Sequence, residues 1–150
     1  MLHIALWEPE IPPNTGNIAR LCAATGVPLH LIGRLGFRLD DRSLRRAGLD
    51  YWDAVAIQRY SSLAEFETTV RGRLFSFSAH ATRLYTSVSY QPADCLLFGS
   101  ETRGLPEEVL ARHAENALTI PMPAGKVRSL NLANAVSIVL YEALRQLQHW

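Results

Sequence analysis

Short apolar runs alternate with helix-like segments along this chain, and this alternation constrains the fold more than any other feature. Residues 2–7 and 27–32 are apolar runs typical of strands, and the segment between them places Ile18, Leu21 and Cys22 on one helical face. A strand, a helix and a strand within about 33 residues predict a βαβ unit. We expect a side-chain oxygen of Asn14 or Thr15 to cap the start of this helix and Gly26 to end it.

The same alternation continues to the carboxyl end of the chain. Further strands are predicted over residues 51–57, 74–78, 95–98 and 117–120. Ser62 with Glu65 forms a capping box that opens a helix through about residue 70, Pro106 stands at the first position of another helix, and the last helix covers residues 131–149. Strands alternating with helices predict an α/β fold in which helices cover both faces of a parallel sheet. The 150 residues suit a single domain spanning residues 1–150.

Composition narrows the classes of function. The net charge of +1 excludes a protein that coats nucleic acid by bulk electrostatics. Only Lys126 among the 15 basic residues is a lysine, and two explanations stay open: an arginine-rich surface for phosphates, or the codon usage of a GC-rich genome. Cys22 and Cys95 stand apart in apolar surroundings, which indicates buried thiols in a reducing compartment. With no signal peptide or membrane-spanning run in the pattern, we expect a cytoplasmic protein.

The usual motifs of nucleotide-binding and hydrolytic α/β enzymes are missing. The nine glycines form no G-x-G-x-x-G pattern, residues 124–127 lack the Ser or Thr of a P-loop, and Ser100 lacks the flanking glycines of a nucleophile elbow. The five histidines are scattered, without a pair at ligand spacing. Dehydrogenases, kinases, esterases and metalloenzymes are therefore disfavoured, and no metal is expected.

Three polar loops follow predicted strands, at the sheet edge where ligands of open parallel sheets collect. They cover residues 8–17, residues 98–106 and residues 120–131. Each alone reads as an ordinary connection rich in Gly, Pro, Asn and Ser. Together, each near a helix start and a cation, they favour a ligand site in which backbone amides hold an anion. Ile120 and Met122 are suited to contact a flat aromatic ring.

The motifs in these loops resemble those of a known family. Residues 14–20 (NTGNIAR), 98–106 (FGSETRGLP), 120–122 (IPM) and 129–135 (SLNLANA) occur in the order found in the SPOUT superfamily of S-adenosylmethionine-dependent RNA methyltransferases. Residues 45–52 (RRAGLDYW) add to this likeness. The chain is most similar to the small bacterial tRNA (cytidine/uridine-34) 2′-O-methyltransferases, and the likeness covers nearly its whole length.

The resemblance implies a fold, a methyl donor and a quaternary structure. The carboxyl-terminal third is expected to thread a deep trefoil knot, a feature that general folding rules would not suggest. S-adenosyl-L-methionine is the expected cofactor, lined by Phe77, Gly99, Ile120, Ser129 and Leu130. The resemblance also implies a homodimer with the active site at the subunit interface. Ala133, Ile138 and Tyr141 lie off the core stripe of the last helix and either widen the core or serve this contact.

The implied reaction is methylation of the ribose 2′-hydroxyl of the wobble nucleotide of tRNA, with leucine isoacceptors as expected substrates. The resemblance places Arg20 beside that hydroxyl as the catalytic residue. For a guanidinium to act as a base its pKa must fall from about 13 to near 7, at roughly 8 kcal/mol. We therefore interpret Arg20 as a charged donor that anchors the adjacent phosphate and stabilises the developing alkoxide. A structural role, capping the helix or forming a salt bridge, is the alternative.

Arginines also mark the expected RNA surface. Five of them fall within 13 residues, of which Arg45 and Arg46 are the predicted RNA contacts, and a solvated helix face is the alternative reading. Arg103, inside the second loop, is the third predicted contact. Two other functions remain open: 2′-O-methylation at another tRNA or rRNA position, and a non-catalytic RNA-binding or ribosome-assembly factor. The presence of Arg20, Ser129 and Asn131 argues against the second.

Overall fold

A computed structural model describes the backbone of residues 1–150 and the side chains of all residues except 48–50. Those three side chains belong to the 45–52 motif and lie outside the described residues. The strands are β1 (His3–Trp7), β2 (Leu29–Ile32), β3 (Ile57–Tyr60), β4 (Leu74–Phe77), β5 (Arg83–Leu84), β6 (Cys95–Phe98) and β7 (Ala117–Thr119). The helices are α1 (Pro12–Thr25), α2 (Arg42–Gly48), α3 (Leu63–Glu67), α4 (Glu107–Arg112) and α5 (Leu132–Gln148), with 3-10 turns at Leu49–Ala54, Tyr85–Ser87 and Ala114–Asn116.

The seven strands form one sheet in the order β3-β2-β1-β6-β4-β7-β5, and every neighbouring pair is parallel. This confirms the predicted α/β class. Chain order reverses between β1 and β6, because β2 and β3 extend the sheet on one side and β4, β7 and β5 on the other. Such a reversal opens a crevice at the carboxyl ends of the strands, since the chain leaves the two central strands toward opposite faces.

Strand alternation divides the core into two layers. On β1, Ile4 and Leu6 face a cluster formed with α1 and α5, whereas Ala5 faces a second cluster formed with α3 and α4. Both cysteines are free and buried, one in each layer, and burial raises the pKa of Cys22 and of Cys95 to about 12. They are thus inert thiols, as the sequence predicts.

Two local predictions are confirmed by the helix ends. Gly26 ends α1 with φ 72°, and its N–H donates to the carbonyl of Cys22, which is the left-handed cap that glycine adopts most easily. The hydroxyl of Ser62 accepts a bond from the backbone N–H of Glu65 at the start of α3. Helix α3 ends at Glu67, earlier than expected, and helix α4 begins at Glu107, so Pro106 is its cap residue and not its first helical residue as predicted.

Two other predictions are wrong. Helix α1 begins at Pro12 with Ile11 at the cap and no side-chain capping bond, so neither Asn14 nor Thr15 caps it. Pro12 and Pro13 have the fixed φ that suits the first turn of a helix, and they have no N–H groups that would need a capping partner. The aromatic stretch at residues 51–57 is mostly a 3-10 turn, and the strand begins only at Ile57. The two-residue edge strand β5 was not predicted, because two residues carry no periodicity.

Helix α1 brings two later segments of the chain, α2 and the Leu49–Ala54 turn, to its own side of the sheet. Helix α1 follows β1 and packs on α2, on the Leu49–Ala54 turn and on α5.

Among the described residues, no helix is both long and apolar enough to cross a membrane.

Candidate active site at the carboxyl edge of the sheet

The first and second polar loops are joined by the carboxylate of Glu101. It accepts bonds from the backbone N–H groups of Glu10 at 2.8 Å and Ile11 at 2.7 Å, and from the side-chain amide of Asn14 at 3.2 Å. The loops meet because β1 and β6 are neighbours in the sheet. A carboxylate that accepts backbone N–H groups just before Pro12 satisfies donors at the start of α1 that no capping side chain reaches.

A second carboxylate, that of Glu10, makes the reciprocal connection. It accepts bonds from the backbone N–H of Thr102 at 3.1 Å, from the Thr102 hydroxyl at 2.6 Å and from the Ser100 hydroxyl. The bonds from the Ser100 and Thr102 side chains are the main cause that lowers the pKa of Glu10 to about 2. Glu10 is therefore ionised at neutral pH and holds the second loop as an anion.

The third loop is joined to the first through two asparagines. The amide nitrogen of Asn131 donates to the side-chain oxygen of Asn14 at 3.0 Å, while its own oxygen accepts from the backbone N–H of Asn134 and caps α5. The Asn14 amide thus links Glu101 in the second loop to Asn131 in the third. Asn14 is 6% exposed, so this amide lies in an interior where an unpaired polar group would be costly.

Three of the residues expected to line the cofactor lie at the ends of adjacent strands. Phe77 ends β4, Gly99 follows Phe98 of β6, and Ile120 follows β7. Phe77 pairs with Phe98 in the sheet register, and the two rings stack with centroids 4.7 Å apart and planes 10° apart. The sheet order β6-β4-β7 therefore brings these three positions to one edge.

The other two expected cofactor residues, Ser129 and Leu130, precede the Asn131 cap of α5. Ser129 is exposed and Leu130 is half-buried. Their connection to the first loop runs through the bond between Asn131 and Asn14. The Asn131–Asn14 bond therefore anchors the residue that follows them in the chain to the first loop.

Gly99 lies where the second loop folds back on itself. The N–H of Gly104 donates to the carbonyl of Ser100 at 2.8 Å, and a Cβ on Gly99 would lie 2.2 Å from the carbonyl carbon of Gly104. Only glycine allows this approach of two backbone segments. Gly104 itself has φ 66°, in the left-handed region.

The predicted catalytic residue, Arg20, lies exposed on α1 with its guanidinium 5.2 Å from the centroid of the Tyr51 ring. Among the described side chains it has no hydrogen bond or ion pair, so the structural alternative of a capping or salt-bridging arginine finds no support there. A guanidinium on an exposed ring gains about 0.5–1 kcal/mol and keeps its N–H donors free.

Two of the three predicted RNA contacts are also placed against aromatic rings. The guanidinium of Arg45 lies 5.3 Å from the Trp52 ring, and that of Arg103 lies 5.1 Å from the Trp7 ring and 3.2 Å from a Glu8 oxygen. Arg46 is exposed on α2 beside Arg45. Arg45 and Arg46 thus lie on α2, close to α1, while Arg103 belongs to the loop after β6.

Sequence reasoning missed the acidic members of the site. Glu8, Glu10 and Glu101 hold the first and second loops together, whereas the sequence pattern identifies them only as members of polar loops. The available signal was three acids within two Gly- and Pro-rich loops that follow predicted strands. No group of three or more His, Cys, Asp or Glu side chains in the described part of the chain is placed to hold a metal ion.

The structure has a seven-stranded parallel sheet, and three loops joined by hydrogen bonds lie where the order of its strands reverses. These features are typical of the α/β enzymes that bind a ligand at the carboxyl edge of the sheet. Residues 1–141 match the SpoU rRNA Methylase family, and the chain belongs to that family.

Relatives with close sequences agree with this assignment. A protein of Escherichia coli strain K12, named tRNA (cytidine(34)-2′-O)-methyltransferase, is 54% identical over 98% of this chain and 94% of its own length. A protein of Yersinia pestis with the same name is 53% identical over 98% of this chain and 94% of its own length.

Solved structures share the fold. One, described as showing the 2-OH methylation of C/U34 on tRNA, is 54% identical, with a TM-score of 0.94 over 100% of this chain and 98% of that one. An AdoMet-bound rRNA methyltransferase of Sinorhizobium meliloti is 30% identical, with a TM-score of 0.86 over 97% of this chain and 56% of that one.

Proposed function

We propose that this protein transfers the methyl group of S-adenosylmethionine to the ribose 2′-hydroxyl of nucleotide 34 of tRNA, a cytidine or uridine derivative, with leucine isoacceptors as substrates. The observation that carries the proposal is the 54% identity, over almost the entire chain, to the Escherichia coli relative named for that reaction. The three joined loops form the site to whose residues we assign roles in this reaction.

The residues at the sheet edge fit the methyl donor. Ile120 and Met122 are half-buried and apolar, as the faces of an adenine ring require, and the Asn14, Glu101 and Asn131 side chains lie on the adjoining loops. We assign the cofactor contacts to Phe77, Gly99, Ile120, Ser129 and Leu130. When bound, S-adenosylmethionine supplies an electrophilic methyl group on a sulfonium sulfur. The proposed trefoil knot would hold these loops in one arrangement.

The chain's own residues must orient the nucleotide and stabilise charge. In the proposed mechanism, Arg20 donates hydrogen bonds to the phosphate beside the target ribose and to the 2′-oxygen as it gains negative charge. Arg45, Arg46 and Arg103 contact other phosphates of the tRNA. In the proposed dimer, these arginines act together with those of the second subunit to bind the RNA.

We further propose a homodimer with the active site at the subunit interface. Ile138 and Tyr141 on α5 are 38% and 45% exposed, whereas Val136, Val139 and Leu140 on the same helix are buried. An exposed apolar face opposite the core stripe supports a subunit contact. Modification of tRNA supports a cytoplasmic location.

A second target remains a candidate for the same chemistry. The family is described by rRNA methylation, and the Sinorhizobium meliloti neighbour is an rRNA methyltransferase. The donor-binding loops do not encode the acceptor, so methylation of another tRNA or rRNA position is the alternative.

The test is transfer of labelled methyl groups from S-adenosylmethionine to bulk tRNA from a strain that lacks the corresponding gene. We expect label on the 2′-oxygen of nucleotide 34 of leucine isoacceptors, located by nuclease digestion and mass spectrometry. Label at another position would select the alternative target. Absence of transfer to tRNA and to ribosomal RNA would overturn the proposed activity.

Substitution of Arg20 tests its role in the reaction. We expect Arg20→Lys to lower kcat by about 100-fold, because one ammonium cannot reach the phosphate and the 2′-oxygen together as the guanidinium fork can. Binding of S-adenosylmethionine, measured by calorimetry, should be unchanged. Activity close to that of the unaltered protein would remove the requirement for a guanidinium.

A further inference from the structure

A groove between α1 and α2 lies next to the proposed active site. It encloses about 600 Å³ and is lined by Pro13 and Asn17 of α1 and by Arg42, Ser43, Arg46 and Ala47 of α2. Arg42 and Arg46 are four residues apart, so both project from one face of α2. Arg42 and Arg46 therefore lie on the α2 wall of the groove, and Asn17 lies on the α1 wall.

The charges around this groove are unbalanced. Its lining contains no acidic residue, and the two preceding acids are engaged elsewhere: Asp40 pairs with Arg38, and Asp41 accepts bonds from the backbone N–H and hydroxyl of Ser43. Within the described side chains, neither Arg42 nor Arg46 forms an ion pair. Two like charges at this spacing weaken a helix, and an anion between them relieves the repulsion.

The shape of the groove favours a nucleotide over a small free anion. Pro13 and Ala47 contribute apolar lining, which suits a ribose or a base. Arginine side chains such as those of Arg42 and Arg46 have the fork geometry that matches the oxygens of a phosphodiester. The volume also exceeds that of a single inorganic anion.

Arg20 lies on the same face of α1 as two residues that line the groove. Pro13, Asn17 and Arg20 are spaced by four and three residues, so they lie along one face of α1. The three residues from Asn17 to Arg20 advance the helix by about 4.5 Å. Beyond Arg20 the same surface reaches Tyr51, whose ring lies under the guanidinium.

We propose that the groove between α1 and α2 is a binding site for a single nucleotide of the RNA substrate adjacent to the one that is methylated, with Arg42, Arg46 and Asn17 holding its phosphodiester. The proposal rests on the proposed function, which identifies the methylated nucleotide next to the one in the groove. This proposal adds Arg42 and Asn17 to the RNA-binding residues, and it assigns the predicted RNA contact Arg46 to one particular phosphodiester.

The groove is tested by tRNA binding to the full-length protein with Arg42→Gln and Arg42→Lys. At 150 mM salt we expect Arg42→Gln to weaken binding about tenfold or more, and to reduce the slope of log affinity against log salt by about 1. Arg42→Lys should restore the salt slope but only part of the affinity, since the charge returns without the fork. In the methyl transfer assay KM for tRNA should rise while kcat is kept.

Arg71→Gln is the matched control. Arg71 is exposed and precedes β4, at the amino edge of the sheet, so the same loss of charge occurs on the opposite side of the molecule. We expect it to bind tRNA within twofold of the unaltered protein. Thermal unfolding of all three variants checks that the fold is retained.

Single neutral methylphosphonates in the anticodon loop locate the phosphate. One substitution at a phosphate adjacent to the acceptor nucleotide should weaken binding to the unaltered protein and have a clearly smaller effect on Arg42→Gln, which keeps only Arg46 and Asn17 at that phosphate. Equal losses with both proteins, or an Arg42→Gln variant that binds like Arg71→Gln, would overturn the groove. A protein that binds tRNA through the groove but transfers no methyl group would refute the proposed function alone.

Discussion

At the scale of single residues, the site arginines are held by aromatic rings more than by acids. Arg20 lies over Tyr51, Arg45 over Trp52 and Arg103 over Trp7, and only Arg103 of the three also has an ion pair. An aromatic face restricts where a guanidinium can lie without occupying its N–H donors. Arg45 donates from Nε to the carbonyl of Leu39 and Arg103 donates to Glu8, whereas Arg20 has no hydrogen-bond partner among the described side chains. The remaining N–H groups are the ones that the proposed RNA contacts would use.

Tyr51 is predicted to position Arg20. Replacing its ring with a methyl group in Tyr51→Ala should lower kcat about two- to fivefold, which is the rate equivalent of an exposed cation–π contact, with KM for S-adenosylmethionine unchanged. Tyr51→Phe should restore kcat, because the ring face and not the hydroxyl contacts Arg20. Steady-state kinetics of both variants measure this. If Tyr51→Phe loses as much activity as Tyr51→Ala, the hydroxyl is what matters.

Gly99 is predicted to tolerate no side chain. Gly99→Ala would place a methyl group 2.2 Å from the Gly104 carbonyl carbon, so the second loop must shift. We expect the free energy of unfolding to fall by about 1–3 kcal/mol and the affinity for S-adenosylmethionine to fall with it. Chemical denaturation and calorimetric titration measure the two effects. Unchanged values for both would mean that the loop does not need its observed path.

At the scale of elements, three neighbouring strands share a polar chain of which only His30 is fully buried. Nδ1 of His3 lies 3.0 Å from Nε2 of His30, Nδ1 of His30 lies 3.0 Å from the Tyr60 oxygen, and the Tyr60 hydroxyl donates to Gln58 at 2.7 Å. Burial, followed by the charge of nearby His3, lowers the pKa of His30 to about 4. β1, β2 and β3 are therefore joined by a histidine that stays neutral.

This histidine makes stability depend on pH. The unfolded chain binds the proton near pH 6.5 and the folded chain only near pH 4, so the stabilisation present above pH 6.5 is lost as pH falls toward 4. Between pH 7 and pH 4 the loss should be about 3 kcal/mol. Urea denaturation should show this decrease for the unaltered protein and for His80→Leu, an exposed control, but a flatter profile for His30→Leu. Identical profiles for all three would contradict the assignment.

Element prediction from sequence succeeds where the signal is local. The buried runs of β1, β4 and β6, the Gly26 cap and the long amphipathic α5 each depend on residues within a few positions of one another. It fails at residues 51–57, where aromatic residues favour a strand by propensity but packing against α1 selects a 3-10 turn. It also fails at Asn14, whose amide makes contacts distant in sequence in place of a cap.

At the scale of the whole molecule, an apolar face remains on α5. The rings of exposed Tyr141 and Trp150 lie 6.3 Å apart, beside exposed Ile138. Because soluble proteins expose few contiguous apolar groups without a partner, this face supports the proposed subunit contact.

A charge on this face should separate the proposed dimer. We expect Tyr141→Glu to shift the mass measured by light scattering from dimer to monomer and to abolish most methyl transfer, since the proposed site is shared between subunits. Leu84→Glu is the control, because Leu84 is 43% exposed on the edge strand β5 and should leave the mass unchanged. A monomeric unaltered protein would overturn the proposed dimer, and a dimer lost with Leu84→Glu alone would place the contact elsewhere.

The sequence by itself determined the α/β class, most strand and helix positions, the buried cysteines and the three loops that carry the family motifs. These follow from apolar periodicity and turn chemistry, which act over a few neighbouring residues. The tertiary structure decided which loops meet. The bond from Asn14 to Glu101 spans 87 residues and forms because the sheet places β1 beside β6. The bond from Asn131 to Asn14 spans 117 residues and forms where α5 packs on α1. Strand order depends on the packing of the whole chain, so no local pattern encodes it.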